Sequence, residues 1–182
     1  DHSQSDEYWA ELAQDYPPFD INQVNHLVAS PTDYHELGSW GPVIQWPHIP
    51  VSAANLPDGR ILTWASNQRT AFPGGQPEFT YTATWDPETD AFIEIPHDSH
   101  DMFCASQVMM EDGRVFVTGG RNSAQSIWTS FFDFQTNSWV PVENMNRGRW
   151  YPTTVALPGD RVFTAVGSGG GQYPDLYTPG EG

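Results

Sequence analysis

The sequence predicts an all-β fold made of short-stranded sheets that repeat along the chain. Two observations predict it. The first is a shared grammar in three stretches: "VSAANLPDGRILTWAS" at 51–66, "CASQVMMEDGRVFVTGG" at 104–120 and "YPTTVALPGDRVFTAVGS" at 151–168. Each reads as a small or apolar strand, a turn of acidic residue, glycine and arginine, and a strand rich in β-branched and aromatic residues. Asp-Gly between alternating apolar runs is a strong hairpin signal. The third copy keeps this turn chemistry in another order, Gly159-Asp160-Arg161. The second observation is that a further hairpin follows each copy. "YTATWDPETDAFIEI" (81–95) and "TSFFDFQTNSWVPV" (129–142) read as strand, acidic turn, strand, and the third copy runs on into "DLYTPGEG".

The repeating unit is therefore four short strands, returning roughly every 45–55 residues, which signals a kelch-type β-propeller blade. A β-sandwich also spaces its turns closely, but the register match of the copies favours the propeller. Residues 41–182 are predicted to hold two full blades and most of a third. Residues 1–40 do not fit the repeat and read as an irregular N-terminal arm. Within it, "SDEYWAELAQ" predicts one short helix with Ser5 as its cap and Tyr8, Trp9 and Leu12 on one face. Propellers close with about 4–8 blades. The partial ring is expected to need C-terminal blades, from more of the same chain or from a complementing second chain, because its end sheet would otherwise stay uncovered.

Composition narrows the function. There are 23 acidic residues against 7 basic ones, and such a surface repels phosphate backbones, so nucleic-acid binding is excluded as an expectation. No apolar run approaches membrane-spanning length. Eight tryptophans and ten phenylalanines argue for a packed core rather than disorder. The single cysteine, Cys104, excludes an internal disulfide framework. A lone cysteine fits a cytosolic protein or a secreted one stabilised by packing alone; the chain opens without a leader and reads as mature or trimmed, and the expected location is extracellular, secreted or at the cell surface. It contains no Asn-x-Ser/Thr site, which fits a bacterial source.

Three groups of residues are candidates for chemistry. His97 and His100, in "HDSHDMFC", are imidazoles that suit several divalent ions; the alternative is a polar turn between blades in which Asp98 and Asp101 cap backbone N–H groups. Arg149 and Trp150, in "NRGRWYP", suit a sugar or a carboxylate through bidentate hydrogen bonds and stacking; the alternative is that the arginine pairs with a carboxylate and braces a blade junction. "GSGGGQ" at 167–172 lacks the following helix that a phosphate loop requires and reads as a connection between strands.

The segments "GSWGPVIQWPHIPVSAANLPDGRILTWAS", "TATWDP", "HDMFC", "GRVFVTGG", "TSFFDFQTNSW" and "GRWYPTTVALPGDRVFTAVG" resemble the galactose oxidase and glyoxal oxidase family of copper radical oxidases, over roughly residues 38–178. The resemblance implies a kelch propeller with one copper held by two tyrosines and two histidines. One of those tyrosines is bonded through its ring to a cysteine sulfur. Such a centre oxidises a primary alcohol or aldehyde and turns dioxygen into hydrogen peroxide. The resemblance assigns Cys104 to the crosslinking position and places the partner position at Phe132, whose ring carries no phenol. Tyr151 opens the next blade and is expected to point elsewhere. The tryptophan that stacks over the crosslink falls on Gly169. Two functions follow: a copper radical oxidase marked by Cys104, or, with the radical tyrosine replaced by Phe132, a non-catalytic extracellular propeller that binds carbohydrate or forms a surface assembly.

Overall fold

A computed structural model describes residues 36, 38, 40–72, 78–120 and 126–181. The chain divides into two compact units, Asp1–Gln45 and Trp46–Gly182. The short helix expected at 5–14 and nearly all of the arm lie outside the described residues.

In the second unit, the described residues form eleven strands in three antiparallel sheets. The first sheet runs β1 (Ser52–Asn55), β2 (Ile61–Trp64), β3 (Thr82–Asp86), β4 (Ala91–Glu94) in sequence order. The second repeats this with β5 (Ser106–Met109), β6 (Val115–Thr118), β7 (Thr129–Asp133) and β8 (Ser138–Pro141). The third holds β9 (Thr153–Leu157), β10 (Arg161–Ala165) and β11 (Asp175–Tyr177). Two four-stranded meanders and three strands of another match the expected partial propeller. First strands meet across neighbouring sheets, β5 against β9.

The turns show why the repeat is written as it is. In the first copy the Leu56 carbonyl accepts from the Gly59 N–H at 3.0 Å, and Gly59 sits at φ 90. That left-handed backbone is what glycine supplies without steric cost. The Asp58 carboxylate then accepts from both the Arg60 N–H and the Arg60 guanidinium. Asp112 and Arg114 repeat the arrangement. In the third copy the reversed pair puts Gly159 at φ 78 and Asp160 at φ 54, a turn with two left-handed residues. The Asp160 side chain accepts instead from the Glu111 N–H of the second sheet, at 2.8 Å. A change of residue order thus turns a local bond into a tie between sheets.

The core lies between the first and second sheets. Leu62, Trp64, Met102, Val115, Val117 and Phe132 pack there, all essentially without solvent exposure. Trp139 meets both Trp64 and Phe132 edge to face, with centroids 6.2 and 5.2 Å apart. A smaller cluster of Met110, Phe116 and Val162 joins the second sheet to the third. Phe132 is thus a core residue. Phe132→Ala is expected to lower unfolding stability by about 3–5 kcal/mol in urea titrations, while Phe132→Leu, which keeps most of the volume, costs clearly less.

Candidate functional site

Register decides where the candidate residues stand. Met109 pairs with Val115, and Val115 with Phe132. Phe132 is therefore two strands across from β5, in line with its last residue. Cys104 lies five positions before that residue, beyond the other end of the strand. At ~4.8 Å per strand and ~3.3 Å per residue, the two are roughly 10 Å apart across the sheet and 17 Å along it. A carbon–sulfur bond cannot bridge that gap, so the placement of the crosslink partner at Phe132 does not agree with the register.

Another residue does stand beside Cys104. The Tyr151 N–H donates to the Cys104 carbonyl at 3.1 Å. Ser106 and Thr153 open β5 and β9, and both pair with the last residue of the following strand, Thr118 and Ala165. Cys104 and Tyr151 therefore hold equivalent positions, two residues ahead of the first strand of successive sheets. Both adopt left-handed backbone, with φ 61 and φ 54. For residues with a bulky side chain this is strained, and it persists only where the surroundings over-determine it. In an extended chain neighbouring side chains point to opposite faces. The left-handed turn at Tyr151 instead brings its ring to 4.7 Å from that of Trp150. The Tyr151 ring stays accessible, at 61% relative exposure.

The surroundings of Cys104 come from "HDSHDMF". The Thr80 hydroxyl donates to the His100 carbonyl at 2.7 Å and accepts from the Met102 N–H at 2.9 Å. Asp101 caps the Phe103 N–H. His97 and His100 are buried rather than solvent-facing, and both point at Ser130 Oγ, at 2.8 and 3.1 Å. His100 Nε2 also lies 2.5 Å from the Gly119 carbonyl oxygen, which only accepts. That nitrogen must carry the proton, so Nδ1 accepts from the Ser130 hydroxyl, and Ser130 accepts from His97 Nε2–H. Burial lowers His97 to about 4, against the raising influence of Asp98. It lowers His100 to about 3, helped by His97 and opposed by the Gly119 bond. Both ring nitrogens of His100 and Nε2 of His97 are committed to partners within the protein, and among the described residues no group of three or more His, Cys, Asp or Glu is placed to hold a metal.

The surroundings of Tyr151 come from Arg149. Its side chain is fully buried, with 0% relative exposure, which takes it away from any substrate. Its guanidinium donates to Asp175 Oδ2 from Nη2 at 2.6 Å and from Nε at 3.2 Å. It also donates to the carbonyls of Val166, at 2.7 Å, and Tyr173. Burial would raise the Asp175 carboxyl, but hydrogen bonds from Arg149 and Asn146 outweigh it and hold the group below its usual range. The backbone of 149–151 is threaded closely between two loops. A Cβ on Gly119 would lie 2.5 Å from the Arg149 carbonyl oxygen, and one on Gly167 would lie 2.7 Å from that of Trp150. Trp150 and Ser168 exchange backbone hydrogen bonds at 3.0 and 2.8 Å. The Trp150 indole N–H is buried and has no hydrogen-bond partner in the protein.

Comparison with known proteins gives this junction a family. A galactose oxidase of Gibberella zeae is 38% identical over 150 residues, which is 79% of this chain and 22% of the relative. A fungal alcohol oxidase of the AA5 family, solved in complex with copper, superposes with a TM-score of 0.70 at 31% identity, over 78% of this chain and 31% of that one. The chain belongs to the galactose-oxidase-like kelch propellers. Kelch-like protein 24 of Homo sapiens is a more distant relative, 26% identical over 93 residues, or 50% of this chain and 14% of the relative. The chain spans less than a third of the length of these proteins. No protein-family model matches it. No helix among the described residues is long and apolar enough to cross a membrane.

Two outcomes test this arrangement. Arg149→Met leaves the half-buried Asp175 carboxylate with Asn146 as its remaining partner and strips the Val166 and Tyr173 carbonyls of their donor, and is expected to destabilise the protein by about 3 kcal/mol in chemical unfolding. The second concerns pH. His97 and His100 titrate lower in the folded state than in the unfolded one, near 6.5. Below pH 6.5 the unfolded chain takes up protons that the folded chain refuses, so stability falls from there towards about pH 4. Asp175 adds a loss in the same direction as pH falls through its lowered value. The thermal midpoint is expected to drop between pH 6.5 and 4, and to drop less in His97→Gln.

Proposed function

We propose that this chain contributes the cysteine–tyrosine half of a copper-radical oxidase centre, with Cys104 bonded to Tyr151. The observation that carries the reading is the 3.1 Å hydrogen bond between their backbones, at equivalent positions of neighbouring sheets. Phe132 was the basis for a non-catalytic propeller, and the register removes that basis. Joining the Cys104 sulfur to a ring carbon of Tyr151 removes one hydrogen from each, two electrons in all, and dioxygen is the acceptor we assign.

The chain's own residues supply position and shielding. Arg149 anchors the segment, and the Trp150 ring lies against the Tyr151 ring. The phenol oxygen of Tyr151 offers one ligand atom. The described residues do not assemble a metal site by themselves, so the remaining ligands are proposed to come from further blades. Bound copper would supply a one-electron partner to the tyrosine radical. The proposed reaction is oxidation of a primary alcohol or aldehyde with release of hydrogen peroxide, in an extracellular setting where dioxygen is available.

A row of exposed apolar side chains supports the need for further blades. Val108, Phe116 and Phe131 stand in register across the second sheet, and the third sheet covers them. Val155, Phe163 and Leu176 are the same row on the third sheet, and all three are exposed.

Peptide mapping of the native protein tests the reading. The expected result is a branched peptide joining Cys104 to Tyr151, two hydrogens lighter than the sum of its parts, and absent from Tyr151→Phe. Free alkylation of Cys104 after unfolding would sink it.

A further inference from the structure

A thin layer of backbone runs between the segment that leads to Cys104 and the segment that holds Tyr151. It is made of Gly119 and Gly120, which follow β6. On one side, a Cβ added to Gly120 would strike the Asp101 carbonyl oxygen and lie 3.2 Å from Met102 Cα. On the other side, the Gly120 N–H donates to the Arg149 carbonyl at 3.0 Å. Gly119 rests on that second segment too: a Cβ there would meet the Arg149 carbonyl oxygen at 2.5 Å and Pro152 Cγ at 3.3 Å. Both glycines have left-handed backbone, with φ 70 and φ 123, so neither position takes a side chain without strain. One glycine backbone is therefore the spacer between residues 101–102 and residues 149–152.

His100 fixes where this spacer stands. The residue is 1% exposed, and all its polar groups named here have partners. Its carbonyl accepts from the Thr80 hydroxyl at 2.7 Å. Its Nδ1 accepts from Ser130 on β7 at 3.1 Å, and its Nε2–H donates to the Gly119 carbonyl at 2.5 Å. A planar ring carries that acceptor and that donor in fixed directions. Gly119 is thereby held against the Cys104 segment by a side chain of that segment. It is held against the Tyr151 segment by close packing and by the bond from Gly120.

We propose that His100 is a positioning residue for the bond between Cys104 and Tyr151, acting through its Nε2–H contact with Gly119 to set the separation of the sulfur and the ring. The proposal rests on the crosslink reading given above. In the step it assists, Cys104 Sγ joins a ring carbon of Tyr151, each loses one hydrogen, and dioxygen takes up both to become hydrogen peroxide. Bond formation between held groups is steep in their placement, and ~1 Å of error can cost about 100-fold in rate.

Two variants separate the bonds of the ring. His100→Gln places an amide N–H near the position of Nε2 and keeps a donor for Gly119. His100→Asn keeps an acceptor near the position of Nδ1 and loses that donor. Each removes one bond, so a purely structural role would affect both alike. The native protein and both variants are made without copper, given copper(II) and air, and sampled over time for the branched Cys104–Tyr151 peptide. Wild type and His100→Gln are expected to form it at similar rates, and His100→Asn at least about ten-fold more slowly. Equal rates in His100→Asn and wild type would overturn the proposal, and so would equal slowing in both variants. Wild-type protein that never forms the peptide would remove the crosslink reading itself, and the role of His100 with it. A further measurement needs no variant and holds even where His100→Asn does not fold. In NMR of the wild type with isotope-labelled histidine, the His100 Nε2–H is expected as an exchange-protected imidazole proton, and its absence would overturn the proposal.

Discussion

A buried guanidinium holds the junction of the second and third sheets. Taking a charge out of water is costly, and the cost is met only when its donors all find partners. Arg149 meets it with one carboxylate and two carbonyls, each contributed by the loop and strand that follow β10. The same residue reaches back through its backbone, accepting from Gly120 and donating to Ser126. One residue, through its backbone on one side and its side chain on the other, thus ties the end of β6 to the start of β11. The path of Trp150 and Tyr151 follows from that tie.

Both strained residues of the site depend on polar anchors of this kind. Cys104 is held by a network of Thr80, His97, His100 and Ser130, all buried. Tyr151 is held by Arg149 and by the close passage of Gly119 and Gly167. The apolar core could tolerate small shifts in packing, whereas hydrogen bonds in a low-dielectric interior fix direction as well as distance. A left-handed backbone at two non-glycine positions needs that kind of constraint.

The three sheets share strand order but differ in how their equivalent positions are used. The residue two places before the first strand is a cysteine in the second sheet and a tyrosine in the third. The apolar row is covered by the neighbouring sheet in the second sheet and exposed in the third. The polar row beside it closes where the Thr118 and Thr154 hydroxyls hydrogen-bond. A repeat architecture makes such divergence inexpensive, because each position contacts only the neighbouring unit.

By itself the sequence determined the strands, the turns and the four-strand period. These depend on local alternation and on Asp-Gly chemistry, which a short window contains. It also held the equivalence of Cys104 and Tyr151, since "CASQV" and "YPTTV" occupy the same place in the repeat. Reading the crosslink partner within the sheet that follows Cys104 led instead to Phe132, because strand pairing is local and sheet-to-sheet contact is not. Only the tertiary structure decided that Phe132 is core, that Arg149 is buried against Asp175, and that Tyr151 lies beside Cys104. Each of those facts joins residues far apart in the chain, and burial, which decides whether a charge binds a substrate or a carboxylate, belongs to the packed sheets and not to any one segment.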